Sequence, residues 1–269
     1  MPARVLSIAG SDSGGGAGIQ ADIKAITALG GYATTAITAL TAQNTLGVAG
    51  ILPVSPDFVR QQIRCVLDDL GTDAIKTGML GGCAEIRTIA EEIARYRKHT
   101  PNLPVVVDPV MVAKGGAALL QNEAVSTMQA VLFPQASVLT PNLPEAECLT
   151  GLSIDSVGAM RTAAQMLRNQ TGATVLLKGG HLSGHILVDV LCDSAGFTEF
   201  TDTRVQTRHT HGTGCTLASA LATLLAQGHV MQDAVAKARQ YVREAILQAP
   251  GLGQGAGPLW HAHTVVAQQ

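Results

Sequence analysis

Short, continuous apolar runs alternate along most of the chain with longer stretches whose apolar residues recur at helical spacing. The short runs are rich in Val, Ile and Leu, as is typical of strands that are buried on both faces. They predict buried strands at residues 4–9, 74–77, 104–108, 137–140 and 174–178. Further β-rich stretches cover 32–40 and 47–54, and a β-pair covers 186–191 and 197–203.

Helices are predicted in most of the intervals between these strands. Ser55-Pro56 is typical of a helix start, because a capping hydroxyl is followed by proline at the first helical position. Gly151 interrupts the longest helical stretch. The predicted helices cover 18–29, 55–70, 84–97, 121–132, 143–169 with that break, 213–227 and 231–248.

This alternation predicts an α/β fold in which helices cover both faces of a central, mostly parallel sheet. No linker, repeat or low-complexity segment divides the sequence, so we expect one domain over residues 1–269. The tail after Pro250 is rich in glycine, and we expect its end to be loose. In open α/β sheets, ligands bind beyond the carboxyl ends of the strands, so the polar residues that follow the predicted strands are the candidates for function.

Composition and charge exclude several classes of protein. Hydrophobic residues make up 46% of the chain and charged residues 14%, which excludes a globally disordered protein. A net charge of −2 and 3% aromatic residues predict no nucleic-acid partner. We see neither a signal peptide nor a membrane span, and we expect no membrane partner. Five scattered cysteines predict neither a disulfide framework nor a zinc site, and they favour the cytosol.

A glycine-rich segment, residues 10–18, follows the first predicted strand and opens a helix. Its glycines allow the backbone to approach a ligand closely, and there are more of them than a tight turn needs. A dinucleotide-binding loop has a Gly-x-Gly-x-x-Gly pattern and an acid after the second strand. The segment fits that pattern only loosely, and no acid stands near residue 40. We expect a ligand-facing loop, with a plain turn as the alternative.

A second glycine-rich segment, His211-Gly212-Thr213-Gly214-Cys215, stands at a predicted helix start. Small residues there leave backbone N–H groups available to an anion, which the helix dipole also favours. We interpret residues 212–214 as an anion hole for a transferring phosphoryl group, with an ordinary helix start as the alternative. We expect the dipole to lower the pKa of Cys215, whose thiolate would accept a proton from an attacking hydroxyl. A small buried cysteine is the alternative.

Charged side chains follow other predicted strands. Asp108 ends one strand, and Asn142 and Glu145 stand at i and i+3 of a helix start. Either Asn142 and Glu145 cap that helix reciprocally, or Glu145 joins Asp108 at a hydrated Mg²⁺ that bridges nucleotide phosphates. Lys178 ends a further strand and suits a phosphate, unless it extends into solvent. The loop 114–116 is either a mobile phosphate contact or a solvated loop.

Together these motifs resemble the hydroxymethylpyrimidine/phosphomethylpyrimidine kinases of thiamine biosynthesis. The resemblance extends over about residues 4–248, and it is carried by residues 9–22, 38–45, 76–80, 108–111, 140–146, 178–181 and 210–216. It implies a ribokinase-like α/β fold of three layers, α/β/α, with ATP as co-substrate, Mg²⁺ and a homodimer. The implied activity is the phosphorylation of 4-amino-5-hydroxymethyl-2-methylpyrimidine to its monophosphate and then to its diphosphate.

The resemblance also implies roles for individual residues of the acceptor site. Gln43 is similar to the side chain that hydrogen-bonds the pyrimidine, and Met79 is similar to a residue that packs on its ring. Gly10 and Asp22 fall in the first-loop region that borders this pocket. Cys215 stands where ribokinase-like sugar kinases have an aspartate base.

The metal and nucleotide residues are implied in the same way. Asp108 and Glu145 resemble the acids that hold Mg²⁺ and phosphate in this family. The residues expected beside the nucleotide are Asn142, Lys178, Thr210 and Lys237.

Three other functions remain as alternatives. A pyridoxal/pyridoxine kinase shares the fold and the helix start and differs in the ring pocket, and one protein can have both activities. A dinucleotide-dependent oxidoreductase would use the first glycine loop, but the missing acid argues against it. A non-catalytic binding module of the same shape would release no ADP with any pyrimidine and MgATP. Residues 32–54 either protrude as a partner surface or cover the pocket.

Overall fold

A computed structural model describes residues 1–111 and 122–265 of the chain. Within this part, nine strands form one sheet. The strands are β1 (Arg4–Asp12), β2 (Tyr32–Asn44), β3 (Gly47–Pro53), β4 (Ala74–Thr77), β5 (Val105–Val107), β6 (Val138–Leu139), β7 (Thr174–Leu177), β8 (Ile186–Asp193) and β9 (Gly196–Thr203).

The strands lie in the order β3-β2-β1-β4-β5-β6-β7-β8-β9. The six neighbouring strands β2-β1-β4-β5-β6-β7 are parallel. Val5 of β1 lies opposite Ala33 of β2 and Ala74 of β4. β3 at one edge, and β8 and β9 at the other, pair antiparallel with their neighbours. The predicted, mostly parallel sheet is therefore confirmed, and its parallel strands present their carboxyl ends at a common edge.

Helices fill the intervals between the parallel strands. Ser55 caps the helix Pro56–Asp69 by accepting a hydrogen bond from the Phe58 amide at 3.4 Å, and Gly151 ends the helix Leu143–Thr150 with a φ of 73°. The helices are α1 (Gly18–Ala28), α2 (Pro56–Asp69), α3 (Cys83–Arg97), α4 (Asn122–Thr127), α5 (Leu143–Thr150), α6 (Val157–Thr171), α7 (Thr213–Ala226) and α8 (Met231–Leu247).

Two predicted helices differ from the structure. The helix expected at 121–132 is α-helical only to Thr127, and it continues as a π-helical turn, Met128–Leu132, and a 3-10 turn, Phe133–Gln135. Pro134 has no N–H to donate, so regular α-helix cannot continue through it. The stretch that was expected to break only at Gly151 forms two helices, α5 and α6, with residues 151–156 between them.

Apolar cores cover both faces of the sheet. On one face, α2 to α6 pack around buried residues such as Ile63, Ile89 and Leu167. On the other face, α1, α7 and α8 pack around residues such as Ile26 and Leu221. This arrangement is the expected three-layer α/β/α architecture. Since α7 is buried along almost its whole length, it lies against the sheet with its first turn at the functional edge.

The tail after Pro250 is joined to the rest of the molecule by hydrogen bonds as far as Thr264, whose hydroxyl donates to the Ala28 carbonyl at 3.0 Å. The Trp260 amide donates to the carbonyl of Ala245 at 2.9 Å, and a 3-10 turn follows at His261–Thr264. The expectation of a loose end falls on residues 266–269, which lie outside the described residues. No helix in residues 1–111 or 122–265 has the length and apolar character needed to cross a bilayer.

Candidate active site

Asp12 organises the first glycine-rich loop. Its carboxylate, only 3% exposed, accepts hydrogen bonds from the amides of Gly14, Gly16 and Ala17 at 2.8–3.0 Å. The same carboxylate lies 2.9 Å from Nε2 of His211. Burial alone would raise the pKa of Asp12, but the hydrogen bonds from His211 and the loop amides outweigh it and lower the pKa. The loop is therefore wrapped around a buried anion, which fixes its shape.

The second glycine-rich segment forms the start of α7. Gly212 has a φ of 82°, and a Cβ there would overlap the carbonyl oxygen of Gly16. The Thr213 amide faces the Thr210 carbonyl at 3.5 Å, and the first i→i−4 bond runs from Thr216 to Gly212 at 2.9 Å. The Thr213 amide, one of those predicted for the anion hole at residues 212–214, is therefore already bonded within the chain, whereas the amides of residues 214–215 precede the bond from Thr216. They stand at the positive end of the helix dipole, where an anion is stabilised.

The pKa of the Cys215 thiol is shifted in the direction opposite to the predicted one. Burial raises its pKa to about 11, and the carboxylates of Asp22 and Asp108 act in the same direction. Lys76 and the Gly18 amide lower the pKa, but they do not offset the burial. The prediction of a lowered thiol pKa from the helix dipole is therefore wrong, because desolvation of the thiolate is the larger effect at this position.

A buried ion pair lies behind Cys215. Lys76 and Asp22 are both 0% exposed, and the Lys76 Nζ lies 2.8 and 2.9 Å from the two carboxylate oxygens. The hydroxyls of Ser7 and Ser219 donate to the same carboxylate at 2.5 and 2.7 Å. Burial lowers the pKa of Lys76, yet the neighbouring Asp22 and the other acidic groups raise it overall. Asp22 therefore lies inside the protein and does not border the acceptor pocket, contrary to expectation.

Asp108 and Lys178 meet where β5 and β7 end. The Lys178 Nζ lies 2.8 Å from Oδ1 of Asp108, and the Thr140 hydroxyl donates to that oxygen at 3.0 Å. Burial lowers the pKa of Lys178, but Asp108 and Glu145 outweigh it and raise the pKa. The edge of the sheet therefore carries a fixed, paired positive charge.

Asn142 and Glu145 form a capping box at the start of α5. The Asn142 side chain accepts from the Glu145 amide at 2.9 Å, and the Glu145 carboxylate accepts from the Asn142 amide at 2.8 Å. The capping alternative is thus confirmed, and both residues also line the cavity described below. Burial raises the pKa of Glu145 to about 7; Lys178 opposes this rise and Asp108 adds to it.

Two cavities meet at this edge of the sheet. The larger, of about 580 Å³, lies between the first glycine-rich loop and the start of α7, and Gln43, Met79, Asp108 and Cys215 line it. The smaller, of about 450 Å³, lies between β7–β9 and α8. The residues that line both cavities are Asn142, Lys178, His181, Thr210, Thr213 and Gly214. A group passing from one cavity to the other would therefore pass Lys178 and the amides that head α7.

Comparison with known proteins shows the family to which this chain belongs. A family model described as phosphomethylpyrimidine kinase matches residues 12–260. The chain belongs to the phosphomethylpyrimidine kinase family.

Relatives in this family match nearly the whole chain. The thiamine biosynthesis bifunctional protein ThiED of Geobacter sulfurreducens is 52% identical over 257 residues, which make up 96% of this chain and 52% of that protein. The chain thus spans about half the length of that relative. The hydroxymethylpyrimidine/phosphomethylpyrimidine kinase of Bacillus subtilis is 47% identical over 260 residues, covering 96% of this chain and 94% of that one.

A solved structure is similar to this chain over nearly its full length. An ADP complex of pyridoxal kinase from Bacillus subtilis superposes with a TM-score of 0.89 at 36% identity. The match covers 97% of this chain and 98% of that one. The ribokinase-like fold is therefore confirmed.

Most of the predicted site residues line the two cavities. A Cβ at Gly10 would overlap the end of the Met79 side chain, so Gly10 provides the space that Met79 occupies. The hydroxyl of Thr38 holds the Met79 carbonyl at 2.6 Å. The predicted residues that line the larger cavity are Gly10, Gln43, Met79, Asp108, Asn142, Glu145, Lys178, Thr210, Gly212, Thr213, Gly214 and Cys215.

The prediction for Lys237 does not agree with the structure. Lys237 lies 3.2 Å from Asp233 and 3.3 Å from Nδ1 of His229, and it lines neither cavity. Arg239 and Arg243 of the same helix do line the smaller cavity. Two residues along an α-helix amount to about 200° of rotation, so the side chain of Lys237 leaves α8 on another face. The loop 114–116 lies outside the described residues.

Sequence reasoning missed three residues of this site. Asp12 was part of the first motif, but its role as the anion inside the loop depends on amides and on a histidine 199 residues away. Arg239 and Arg243 are missing from the motifs altogether. Their i, i+4 spacing on a predicted helix is a signal for a shared face, and that signal favours them over Lys237.

Proposed function

We propose that this chain transfers phosphate from ATP to 4-amino-5-hydroxymethyl-2-methylpyrimidine and then phosphorylates the resulting monophosphate. The observation that carries this proposal is the junction of two cavities at Lys178 and Gly214, with Cys215 and Gln43 on the acceptor side. The family match and the similarity to the hydroxymethylpyrimidine/phosphomethylpyrimidine kinase of Bacillus subtilis support the same reaction.

The larger cavity takes the pyrimidine. The Gln43 amide, beside His211 at 3.3 Å, offers a donor and an acceptor to the polar edge of the ring. Met79 packs against the ring face, and the hydroxymethyl group lies over Cys215. Sulfur–aromatic contact and a small set of placed polar groups are typical of pockets for small heterocycles.

The smaller cavity takes the nucleotide. Lys178 stands between the two cavities, where its charge offsets that of the transferring phosphoryl group, and the amides of Gly214 and Cys215 stabilise the same oxygens. Positioning and electrostatic stabilisation dominate phosphoryl transfer, so Cys215 contributes a smaller part by accepting the hydroxyl proton. The similar pyridoxal kinase was solved as an ADP complex, which supports a nucleotide as a ligand of this fold.

The acids at the edge of the sheet fit a Mg²⁺ ion that also binds phosphate. No cluster of three or more His, Cys, Asp or Glu that could hold a metal occurs in the described residues. Asp108 and Glu145, however, are buried carboxylates, and Asp108 adds to the raised pKa of Glu145. Mg²⁺ takes few protein oxygens and keeps several waters, so this pair suffices to hold it. When bound, Mg²⁺ would neutralise charge on the nucleotide phosphates.

The test is ADP release with hydroxymethylpyrimidine, its monophosphate and pyridoxine, measured side by side under the same conditions. We expect turnover with both pyrimidines. A second activity as a pyridoxal/pyridoxine kinase is favoured by the similarity to the Bacillus subtilis structure, and it predicts ADP release with pyridoxine as well. Absence of ADP with both pyrimidines would overturn the main proposal.

We also propose that the enzyme is a cytoplasmic homodimer that associates through the β2–β3 hairpin. β3 forms an edge of the sheet, and Leu46, Ile51 and Leu52 on the hairpin are 67%, 46% and 64% exposed. An apolar edge strand is a favourable surface for pairing with a second copy. The five free cysteines fit a reducing compartment.

A further inference from the structure

Alternate glycines in the C-terminal tail lie against the acceptor side of the site. A Cβ at Gly253 would overlap the Thr45 side chain, and one at Gly255 would overlap the Thr45 carbonyl oxygen. A Cβ at Gly257 would overlap the ring of His209. The spacing of these glycines follows from this contact, because the tail backbone meets its neighbours with no side chain between them.

Hydrogen bonds join the tail to the tip of the β2–β3 hairpin. The Gly255 amide donates to the Thr45 hydroxyl at 3.2 Å, and the Ala256 amide donates to the Thr45 carbonyl at 3.0 Å. Thr45 stands two residues after Gln43, the proposed pyrimidine contact. We call residues 253–261 the C-terminal strap. The strap therefore binds the hydroxyl and the carbonyl of Thr45, the residue at the turn that follows the strand of Gln43.

The other end of the strap is joined to the start of α7. The His211 amide donates to the Gly257 carbonyl at 3.1 Å, and the Thr216 hydroxyl lies 2.9 Å from Nε2 of His261. The Tyr241 hydroxyl donates to the His261 carbonyl at 3.0 Å, which fixes the strap to α8. His211 and Thr216 flank the turn that carries Cys215.

We propose that the C-terminal strap positions the acceptor substrate by holding the Gln43 end of the β2–β3 hairpin against the start of α7. It thereby sets the separation between the polar edge of the pyrimidine and Cys215. The inference rests on the proposed placement of the pyrimidine at Gln43. The strap acts through Gln43 and is not itself a contact of the reacting atoms.

Gly255→Ala tests the strap directly. The φ of Gly255 lies outside the left-handed region, so alanine suits its backbone, and the new Cβ acts by displacing the backbone of Thr45 and Leu46 at the hairpin tip. We expect the KM for hydroxymethylpyrimidine to rise about tenfold, as for one lost hydrogen bond, while the KM for ATP changes less than about twofold. Gly158→Ala is the control, because its nearest neighbour is the Ser156 hydroxyl at 3.9 Å, and we expect both KM values to stay unchanged.

A double-mutant cycle with Gln43→Ala separates positioning from general damage to the fold. If the strap acts through Gln43, the double variant has the pyrimidine KM of Gln43→Ala alone, within about twofold. Multiplying effects would overturn the proposal. A raised KM in Gln43→Ala beside an unchanged KM in Gly255→Ala also overturns the strap, whereas an unchanged KM in Gln43→Ala overturns the pyrimidine placement itself.

Thr45→Val keeps the experiment decisive if Gly255→Ala does not fold. Valine preserves the shape of the side chain and removes the hydroxyl that accepts from Gly255. We expect the pyrimidine KM to rise about threefold with the KM for ATP unchanged, since the bond from Ala256 to the Thr45 carbonyl remains. Equal changes in the two KM values, or none, would contradict the proposal.

Discussion

At the scale of the residue, Cys215 shows how burial and charge compete. Its position at the head of α7 favours the thiolate, and Lys76 behind it does the same. Desolvation and the carboxylates of Asp22 and Asp108 are stronger, and they raise the thiol pKa to about 11. Without bound substrate, the Cys215 thiol is therefore neutral at neutral pH. The rate of the proposed phosphoryl transfer then depends mainly on positioning and electrostatic stabilisation.

Cys215→Ala separates the two phosphorylations. The first acceptor is an alcohol whose proton must be removed, and we expect its turnover to fall by about 10²–10⁴-fold, the range of general-base catalysis. The second acceptor is a phosphate oxygen that is already mostly ionised, so we expect a smaller loss. Single-turnover rates for each step provide the measurement, and Cys65→Ala, an exposed cysteine of α2, is the control. Equal losses in both steps would contradict the base role.

The pH dependence follows from the same thiol. Because its pKa is about 11, the thiolate fraction rises about tenfold per pH unit below that value. We expect kcat for the first phosphorylation to rise with pH between about 7 and 9, and Cys215→Ala to lose this rise. Ionisation of Glu145, whose pKa is about 7, adds a rise at lower pH that the variant keeps. A flat profile in the native enzyme would argue against the thiolate as base.

Asp22 shows what the sequence leaves undetermined about single residues. The sequence correctly places the loop before α1 at the carboxyl edge of the sheet, where it lines the larger cavity, because glycine clusters and strand ends are local features. It does not indicate which way a side chain one turn into α1 points. Asp22 turns inward because Lys76, 54 residues away, supplies the opposite charge that a buried carboxylate requires.

At the scale of the element, α8 presents two different faces. Arg243 lines the smaller cavity, the proposed nucleotide site, and donates to the Thr203 carbonyl at 2.7 Å, whereas Lys237 pairs with Asp233 on another face. We expect Arg243→Ala to raise the KM for ATP about tenfold and Lys237→Ala to leave it unchanged. Initial rates at saturating pyrimidine measure both variants. A larger effect from Lys237→Ala would restore the original assignment of that residue to the nucleotide site.

Helix limits were predictable where a single residue decides them. Ser55 and Gly151 act through bonds and φ angles within one turn of chain, and the structure places α2 and the end of α5 accordingly. The π-helical and 3-10 turns after Thr127 were not predictable from apolar spacing alone. Their geometry depends on how the chain accommodates Pro134 while keeping Met128 and Leu132 in the core.

At the scale of the whole molecule, the alternation of elements predicted the layers but not the long-range contacts. The strap bonds to Thr45 across 210 residues, and no periodicity in the sequence carries that information. The sequence accordingly predicts only a loose end for the glycine-rich tail and does not indicate the hydrogen bonds that its preceding part makes. Contacts between residues so far apart in the sequence can be identified only from the folded structure, in which the sheet brings both ends of the chain to one edge.

The proposed dimer is tested by placing a charge on the exposed edge. We expect Leu52→Glu to convert the enzyme to a monomer in light scattering, because a buried unpaired carboxylate opposes association. Leu247→Glu is the matched control, since Leu247 is 53% exposed at the end of α8, and we expect it to keep the mass of the native enzyme. A native mass that already equals one chain would overturn the dimer.

The contact between Gly16 and Gly212 has a consequence for inheritance. Bare backbone touches bare backbone there, so a Cβ at Gly212 collides with the Gly16 carbonyl and one at Gly16 collides with His211. A substitution at either glycine therefore pushes the first glycine-rich loop away from the start of α7. We therefore expect substitutions at position 16 to produce the same phenotype as substitutions at position 212, although the two positions are far apart in the gene.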